Sequence, residues 1–136
     1  MACFLRVYGD ELNVKDLIAT FKLSPSKVWE KGLPRFRNNP NKLNKNSGLN
    51  IQISKAEWNE FEKQKKDAVE FLREHKHIMS SVASYSGVEG AYLDFGIEWR
   101  NVSVQSDSFP PSLIVLAGQI GLGIEISQYP PDDDEE

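Results

Sequence analysis

Apolar residues recur along this chain in two periods, and each change of period marks a change of element. Cys3 to Tyr8 is a short apolar run holding one arginine, which predicts a central or half-buried strand. Gly9-Asp10 breaks it. Val14, Leu17, Ile18 and Phe21 then fall at i, i+3, i+4 and i+7, one apolar helical stripe. Asn13 is placed to cap that helix, because its side-chain oxygen can accept from a free amide of the first turn. Asp16 sits in the same turn, where a negative charge suits the helix dipole. Ser24-Pro25 predicts the helix end, since proline disfavours helical geometry in the residue before it. Lys27 to Lys31 predicts a strand or edge segment. Residues 34–48 hold two prolines, one glycine and five asparagines, the composition of a loop.

From Leu49 the period returns to two. Leu49, Ile51 and Ile53 alternate with Asn50, Gln52 and Ser54, a strand with one apolar face. Ser54 with Glu57 has capping-box spacing, and predicts the longest helix over about 55–76. Its stripe is Trp58, Phe61, Lys65, Ala68, Val69 and Leu72, with Ile78, Met79 and Val82 able to extend it. Gly87 and Gly90 mark a turn. Leu93, Phe95, Ile97 and Trp99 then take one strand face, and Asp94 and Glu98 the other, which is read as solvated. Val102 and Val104 are expected to form a hairpin partner across Arg100-Asn101. Pro110-Pro111 opens a third helix, with Leu113, Ile114, Leu116, Ala117 and Ile120 as its buried side. Gly121 and Gly123 stop it, residues 124–129 form a last strand, and Pro130-Pro131 closes the fold.

These elements predict an α+β fold: a mixed, mostly antiparallel sheet with about three helices packed on one face. Asp10 precedes Leu17-Ile18 by the same interval at which Asp107 precedes Ile114-Val115. The match suggests two β-α-β units, although two short motifs can also coincide. A chain of 136 residues fits one domain, taken here as 1–131, with 132–136 as a disordered acidic tail.

Charge alters this picture in one respect. The net charge is −4, but Asp132 to Glu136 carry five negative charges, so the acidity belongs to the tail. Residues 22–46 carry seven Lys and Arg against Glu30 alone. Cys3 is the single cysteine, which leaves no intrachain disulfide and fits a reducing compartment. No apolar run approaches the length needed to span a bilayer, and no secretory leader is visible. A cytoplasmic protein is expected.

Tyr8-Gly9-Asp10, Leu17-Ile18, Leu23-Ser24-Pro25 and Trp29 to Gly32 resemble the start of an uncharacterised bacterial family, domain of unknown function 4279. Ser112-Leu113-Ile114, Gly121 to Ile126 and Tyr129 resemble that family's closing helix and strand. The resemblance spans residues 3–129 and brings no catalytic residues with it. In size, acidity and setting the chain is also similar to bacterial immunity proteins, which neutralise a toxin by binding it. That likeness is an analogy and not a motif match.

No catalytic or metal-binding set emerges from the residues. His75 and His77 stand at i, i+2, which points the rings apart on a helix and offers no metal pair. Gly-x-Ser-x-Gly is absent. Asp94 and Glu98 lie about 13 Å apart along one strand, at about 3.3 Å per residue, too far for a retaining carboxylate pair. Gly118, Gly121 and Gly123 follow a helix, whereas a phosphate loop precedes one. The expectation is therefore a non-catalytic binding protein of immunity (antitoxin) type, without cofactor or metal. Its protein partner would be a basic toxin met through Asp94, Glu98, Asp132, Asp133 and Asp134. The alternative is a nucleic-acid or anion site made from Lys27, Lys31, Arg35, Phe36 and Arg37, since cations interleaved with aromatics suit a single strand. Monomer and edge-paired homodimer both remain open.

Overall fold

A computed structural model describes residues 2–130, so the acidic run 132–136 lies outside the described residues. The elements in chain order are β1 (Cys3–Gly9), α1 (Val14–Phe21), β2 (Lys27–Trp29), β3 (Pro34–Phe36), β4 (Asn39–Leu43), β5 (Ser47–Ser54), α2 (Phe61–Ala83), β6 (Gly90–Glu98), α3 (Pro111–Ile120) and β7 (Gly123–Tyr129). Five strands make one sheet in the order β2-β5-β1-β6-β7, and β3 and β4 pair separately. Every pairing in the main sheet is antiparallel except β6 with β7. The α+β architecture read from the hydrophobic pattern is therefore the fold. β6-α3-β7 is a parallel crossover between neighbours. β1-α1-β2 is a wider one, with β5 lying between its two strands.

Alternation decides what each sheet face does. Cys3, Leu5 and Val7 of β1, Leu49, Ile51 and Ile53 of β5, and Leu93, Phe95 and Ile97 of β6 point to one side and are buried. The helices cover that side. α2 contributes Ala68, Leu72, Met79 and Val82, α1 contributes Val14 and Leu17, and α3 contributes Leu113, Ala117 and Ile120. At about 25 cal/mol per Å² of apolar surface removed from water, this single core is the main stabilising term. Cys3 sits inside it, and burial, with the nearby charges of Asp94 and Asp67, pushes its thiol pKa up to about 12. A thiol so placed is an inert core side chain.

Several local expectations are corrected. α1 does not run to Ser24-Pro25. It ends at Phe21, where Lys22 adopts a left-handed conformation and its amide donates back to Ile18. The expected Asn13 cap is present, its Oδ1 accepting from the Asp16 amide at 3.1 Å. Ser54 does not cap α2. Its hydroxyl accepts from the Ala56 amide at 3.0 Å and donates to Asp67 at 2.6 Å, so the chain turns through 55–60 and the helix starts at Phe61. α2 then passes the expected end at 76, because Met79 and Val82 keep its stripe buried. It bends at His75, whose φ of −112° and ψ of 17° leave the helical region.

The expected strand at Val102 and Val104 does not form. Both side chains are exposed, and residues 99–110 are a loop. The Gln105 side chain replaces a strand partner. It accepts from the Arg100 amide at 2.8 Å and donates to the Glu98 carbonyl at 3.0 Å. Asp107 closes the loop by accepting from Arg100 and Gln105. Burial alone would raise the Asp107 carboxyl, but those two bonds outweigh it and hold the group below its ordinary value. The Lys65 ammonium, buried on the α2 stripe, donates to the Ser108 carbonyl at 2.8 Å and ties the loop to the helix.

Residues 34–48 are also not a loop. β3 and β4 continue the β2–β5 ladder outward as a hairpin arm. Its root is held by Gly32 and Asn44 donating to Asn44 and Leu33 carbonyls, and by the Lys31 amide donating to Ser47. Two of its asparagines brace this root: the Asn44 side chain donates to the Glu30 carbonyl at 3.0 Å, and the Asn46 side chain accepts from the Trp29 indole at 2.9 Å.

Candidate binding surface

The other face of the sheet carries no helix. Phe4, Arg6 and Tyr8 project there from β1, because they alternate with the buried Cys3, Leu5 and Val7. Strand register sets their neighbours. Trp29, Gly48, Tyr8 and Gly90 form one row across β2, β5, β1 and β6. Lys27, Asn50, Arg6, Tyr92 and Gly123 form the next, and Gln52, Phe4, Asp94 and Glu125 the one after.

Three of these positions share a reason to be glycine, and at Gly48 the Val7 carbonyl adds a second. A Cβ at Gly48 would collide with the Trp29 ring, at Gly90 with the Tyr8 ring, and at Gly123 with the Tyr92 ring. Each aromatic ring therefore lies on a bare stretch of backbone in the neighbouring strand. Tyr8 and Tyr92 stack with ring centres 6.3 Å apart and planes 11° from parallel. The Trp29 indole donates to Asn46 at 2.9 Å, which fixes its orientation. The Tyr8 phenol is held above its ordinary pKa, first by burial and then by Tyr92 and Glu125.

Arg6 stands at the centre. One guanidinium nitrogen donates to Asp94 at 2.6 Å and the other to Glu125 at 2.8 Å. Ser127 donates to the second Asp94 oxygen at 2.6 Å. The fork is thereby fixed in the sheet face by charged bonds, which are stronger than neutral ones. Arg6 keeps about a third of its side chain exposed (32%), whereas Asp94 is buried at 6%.

The expected partner contacts fare unequally. Asp94 is on the expected face but is not solvated. Both its oxygens are engaged, so its role is to position Arg6. Glu98 lies on the same face at the end of β6, half-buried, with its amide donating to the Trp58 carbonyl. It is not brought beside Asp94; the carboxylate that is, Glu125, comes from β7. Asp132, Asp133 and Asp134 lie outside the described residues.

The basic set is brought together in part. Lys27 stands 6.0 Å from the Trp29 ring centre on β2. Lys31 is engaged by Asp10 at 3.1 Å and Glu11 at 3.5 Å, and the bond to Asp10 raises its pKa. Arg35, Phe36 and Arg37 are exposed on the hairpin arm. The Arg35 guanidinium lies 5.4 Å and the Lys42 ammonium 5.9 Å from the Phe36 ring centre. No Asp or Glu occurs between Glu30 and Glu57.

Arg6, Tyr8, Tyr92, Glu125 and Ser127 were not singled out from the pattern. For Arg6 and Tyr8 the signal is the strict alternation of Phe4, Arg6 and Tyr8 with buried residues, which marks an arginine on an otherwise apolar central strand; Tyr92, Glu125 and Ser127 reach the site through strand order, which leaves no local signal. Elsewhere, an open cavity of about 520 Å³ lies between the start of α2 and the 99–110 loop, lined by Glu60, Glu62, Arg100 and Asp107 among others. Its Arg100 and Asp107 bond to each other. Among the described residues no group of three or more His, Cys, Asp or Glu could hold a metal ion, and no helix is long and apolar enough to cross a membrane.

The fold and this face define a small mixed-sheet α+β domain with an open, aromatic-lined sheet surface. The chain belongs to the family described as Domain of unknown function (DUF4279), whose model matches residues 1–131. No curated protein and no solved structure matches it.

Proposed function

We propose that this is a non-catalytic protein-binding domain whose partner docks on the helix-free sheet face. One observation carries it: Trp29, Tyr8 and Tyr92 are seated on glycines around an arginine held by two carboxylates. Tryptophan, tyrosine and arginine are the residues that dominate binding energy at protein interfaces. Fixing them beforehand lowers the entropy lost on docking. The carboxylates Asp94 and Glu125 are occupied with Arg6, which argues against their use as a catalytic acid and base. The most concrete form is an immunity-type protein of the bacterial cytoplasm that neutralises a toxin by direct binding. Glu98 and the acidic residues 132–136 would steer a basic partner.

The test is co-purification from the native cell, followed by titration of the recovered partner. Tyr8→Ala and Tyr92→Ala are expected to weaken binding by at least about tenfold each, about 1.4 kcal/mol. Gly90→Ala keeps every side chain but displaces only the far end of the Tyr8 ring, so it should weaken binding without unfolding the domain. A partner held equally well by all three variants would place the interface elsewhere. Growth arrest by the partner, relieved on co-expression, would support the antitoxin form; a partner without toxicity would remove it.

A second function is favoured by the acid-free hairpin arm, where Phe36 is flanked by Arg35 and Lys42. Cations beside an exposed ring suit the phosphates and bases of a single-stranded nucleic acid. Counterion release predicts an affinity that falls steeply with salt. Fluorescence anisotropy with a labelled oligonucleotide should show binding at about 50 mM salt that is lost in Arg35→Ala/Arg37→Ala. No binding at that salt would eliminate it.

A further inference from the structure

The two edges of the sheet are treated differently. β2, at one edge, is three residues long and turns at once into the basic hairpin arm, with Lys27, Lys31 and Pro34 along it. Short edge strands, lysines and proline are the usual means of preventing strand addition. β7, at the other edge, has none of them. It is seven residues long, Gly-Ile-Glu-Ile-Ser-Gln-Tyr, without lysine, arginine or proline, and within the described residues it pairs with β6 alone.

The cover above this edge is incomplete as well. Ile126 points to the helix side, opposite Phe95, yet remains 45% exposed. α3 does not close over it. Gln119 of α3 accepts from Lys76 of α2 at 2.6 Å, so that flank faces α2. Ile114, five residues earlier, lies about 140° round the helix from Gln119, on the side away from α2 and towards the free edge. Ile114 is itself 54% exposed, and a Cβ at Gly118 would meet nothing within 4 Å.

We propose that β7 pairs antiparallel with β7 of a second copy of this chain, joining the two sheets edge to edge. Ile126 is the middle residue of the strand, so a two-fold axis through it gives a self-complementary register. Ile126 then meets Ile126, Glu125 meets Ser127, Ile124 meets Gln128, and Gly123 meets Tyr129. No like charges fall directly opposite each other, an arrangement that would be destabilising. The axis also puts both α3 helices on one side of the joined sheet, with their Ile114 flanks turned towards each other over the Ile126 pair. This occupant fits better than an unrelated strand, because the edge supplies its own matching partner and its contact is isologous. The helix-free faces stay continuous and open, so the dimer is compatible with the docking face proposed above and independent of it.

Sedimentation equilibrium on the full chain should give a dimer, and Ile126→Lys and Ile114→Glu should each weaken it by at least about tenfold. Both residues are half-exposed, so the variants should keep the far-UV circular dichroism of the parent. An Ile126→Cys variant should be joined in high yield by a short bismaleimide. A Val104→Cys variant, on the exposed 99–110 loop, should not, and the buried Cys3 contributes nothing. A wild-type chain that stays monomeric at about 100 µM, a concentration well above ordinary dimer affinities, would overturn the proposal. So would a dimer that survives Ile126→Lys but is broken by Val28→Lys on the β2 edge.

Discussion

Phe95→Ala is expected to destabilise the domain by about 3–5 kcal/mol, a large share of the roughly 5–15 kcal/mol that holds a domain folded. Phe95 is fully buried on β6, and its ring is where three separate elements meet. Phe61, the first residue of α2, packs edge-on against it with ring centres 6.0 Å apart. Phe109, just before the prolines that open α3, lies 5.0 Å away and also meets Phe61 edge-on. Removing the ring empties the junction between the sheet, the start of the long helix and the 99–110 loop. These parts are backed by covalent turns and by the Lys65 bond to Ser108, so the space cannot close by simple collapse. Urea unfolding followed by circular dichroism should show the midpoint falling with little change in slope. Phe95→Leu, which retains most of the volume, should lose less than about 1.5 kcal/mol. A loss below about 1 kcal/mol for Phe95→Ala would mean that the three rings are not a shared support.

The parts of this fold legible from sequence are those written in local periodicity. The stripe Val14, Leu17, Ile18, Phe21 and the alternation of Leu49, Ile51 and Ile53 each state which side is buried. The structure buries Val14, Leu17 and all three strand residues. The misread segments are those in which one side chain satisfies a distant backbone group. Ser54 has the right spacing for a cap and is used instead by Asp67; Val102 and Val104 alternate like a strand while Gln105 takes the bonds a strand partner would make. Asparagine after asparagine reads as a loop, although two of those side chains, Asn44 and Asn46, brace a hairpin root.

The candidate face was legible in composition but not in arrangement. Asp94 was recognisable as a non-core residue of its strand. That it is buried follows from β6 lying beside β1 and β7, which brings Arg6 and Glu125 from positions 88 and 31 residues away in the chain. Nothing local encodes strand order. The glycines at 48, 90 and 123 read as breakers for the same reason: their purpose is a ring belonging to another strand.

Arg6→Ala should be the costliest substitution on the helix-free face, at about 3 kcal/mol, and costlier than Asp94→Asn. The asymmetry follows from burial. Arg6 is partly exposed and could turn towards water if it lost Asp94, with Glu125 still beside it. Asp94 has no such escape. With the guanidinium gone it is a buried carboxylate left with Ser127 as a side-chain donor, and an unpaired buried charge is among the largest single penalties in a folded protein. Asp94→Asn keeps the shape and an acceptor oxygen for Arg6, so its loss should be nearer 1 kcal/mol, that of a weakened hydrogen bond. The double variant Arg6→Ala/Asp94→Asn removes both charges and should recover at least about 1 kcal/mol relative to Arg6→Ala alone. Chemical unfolding of the four proteins gives this cycle directly. Simple additivity, with the double variant the least stable of the four, would show that the pair does not act as a unit. The partner titration then separates the two roles of this cluster. Asp94→Asn, still holding the guanidinium in place, should retain most of the binding, whereas Arg6→Ala should lose it together with the fixed centre of the aromatic cluster.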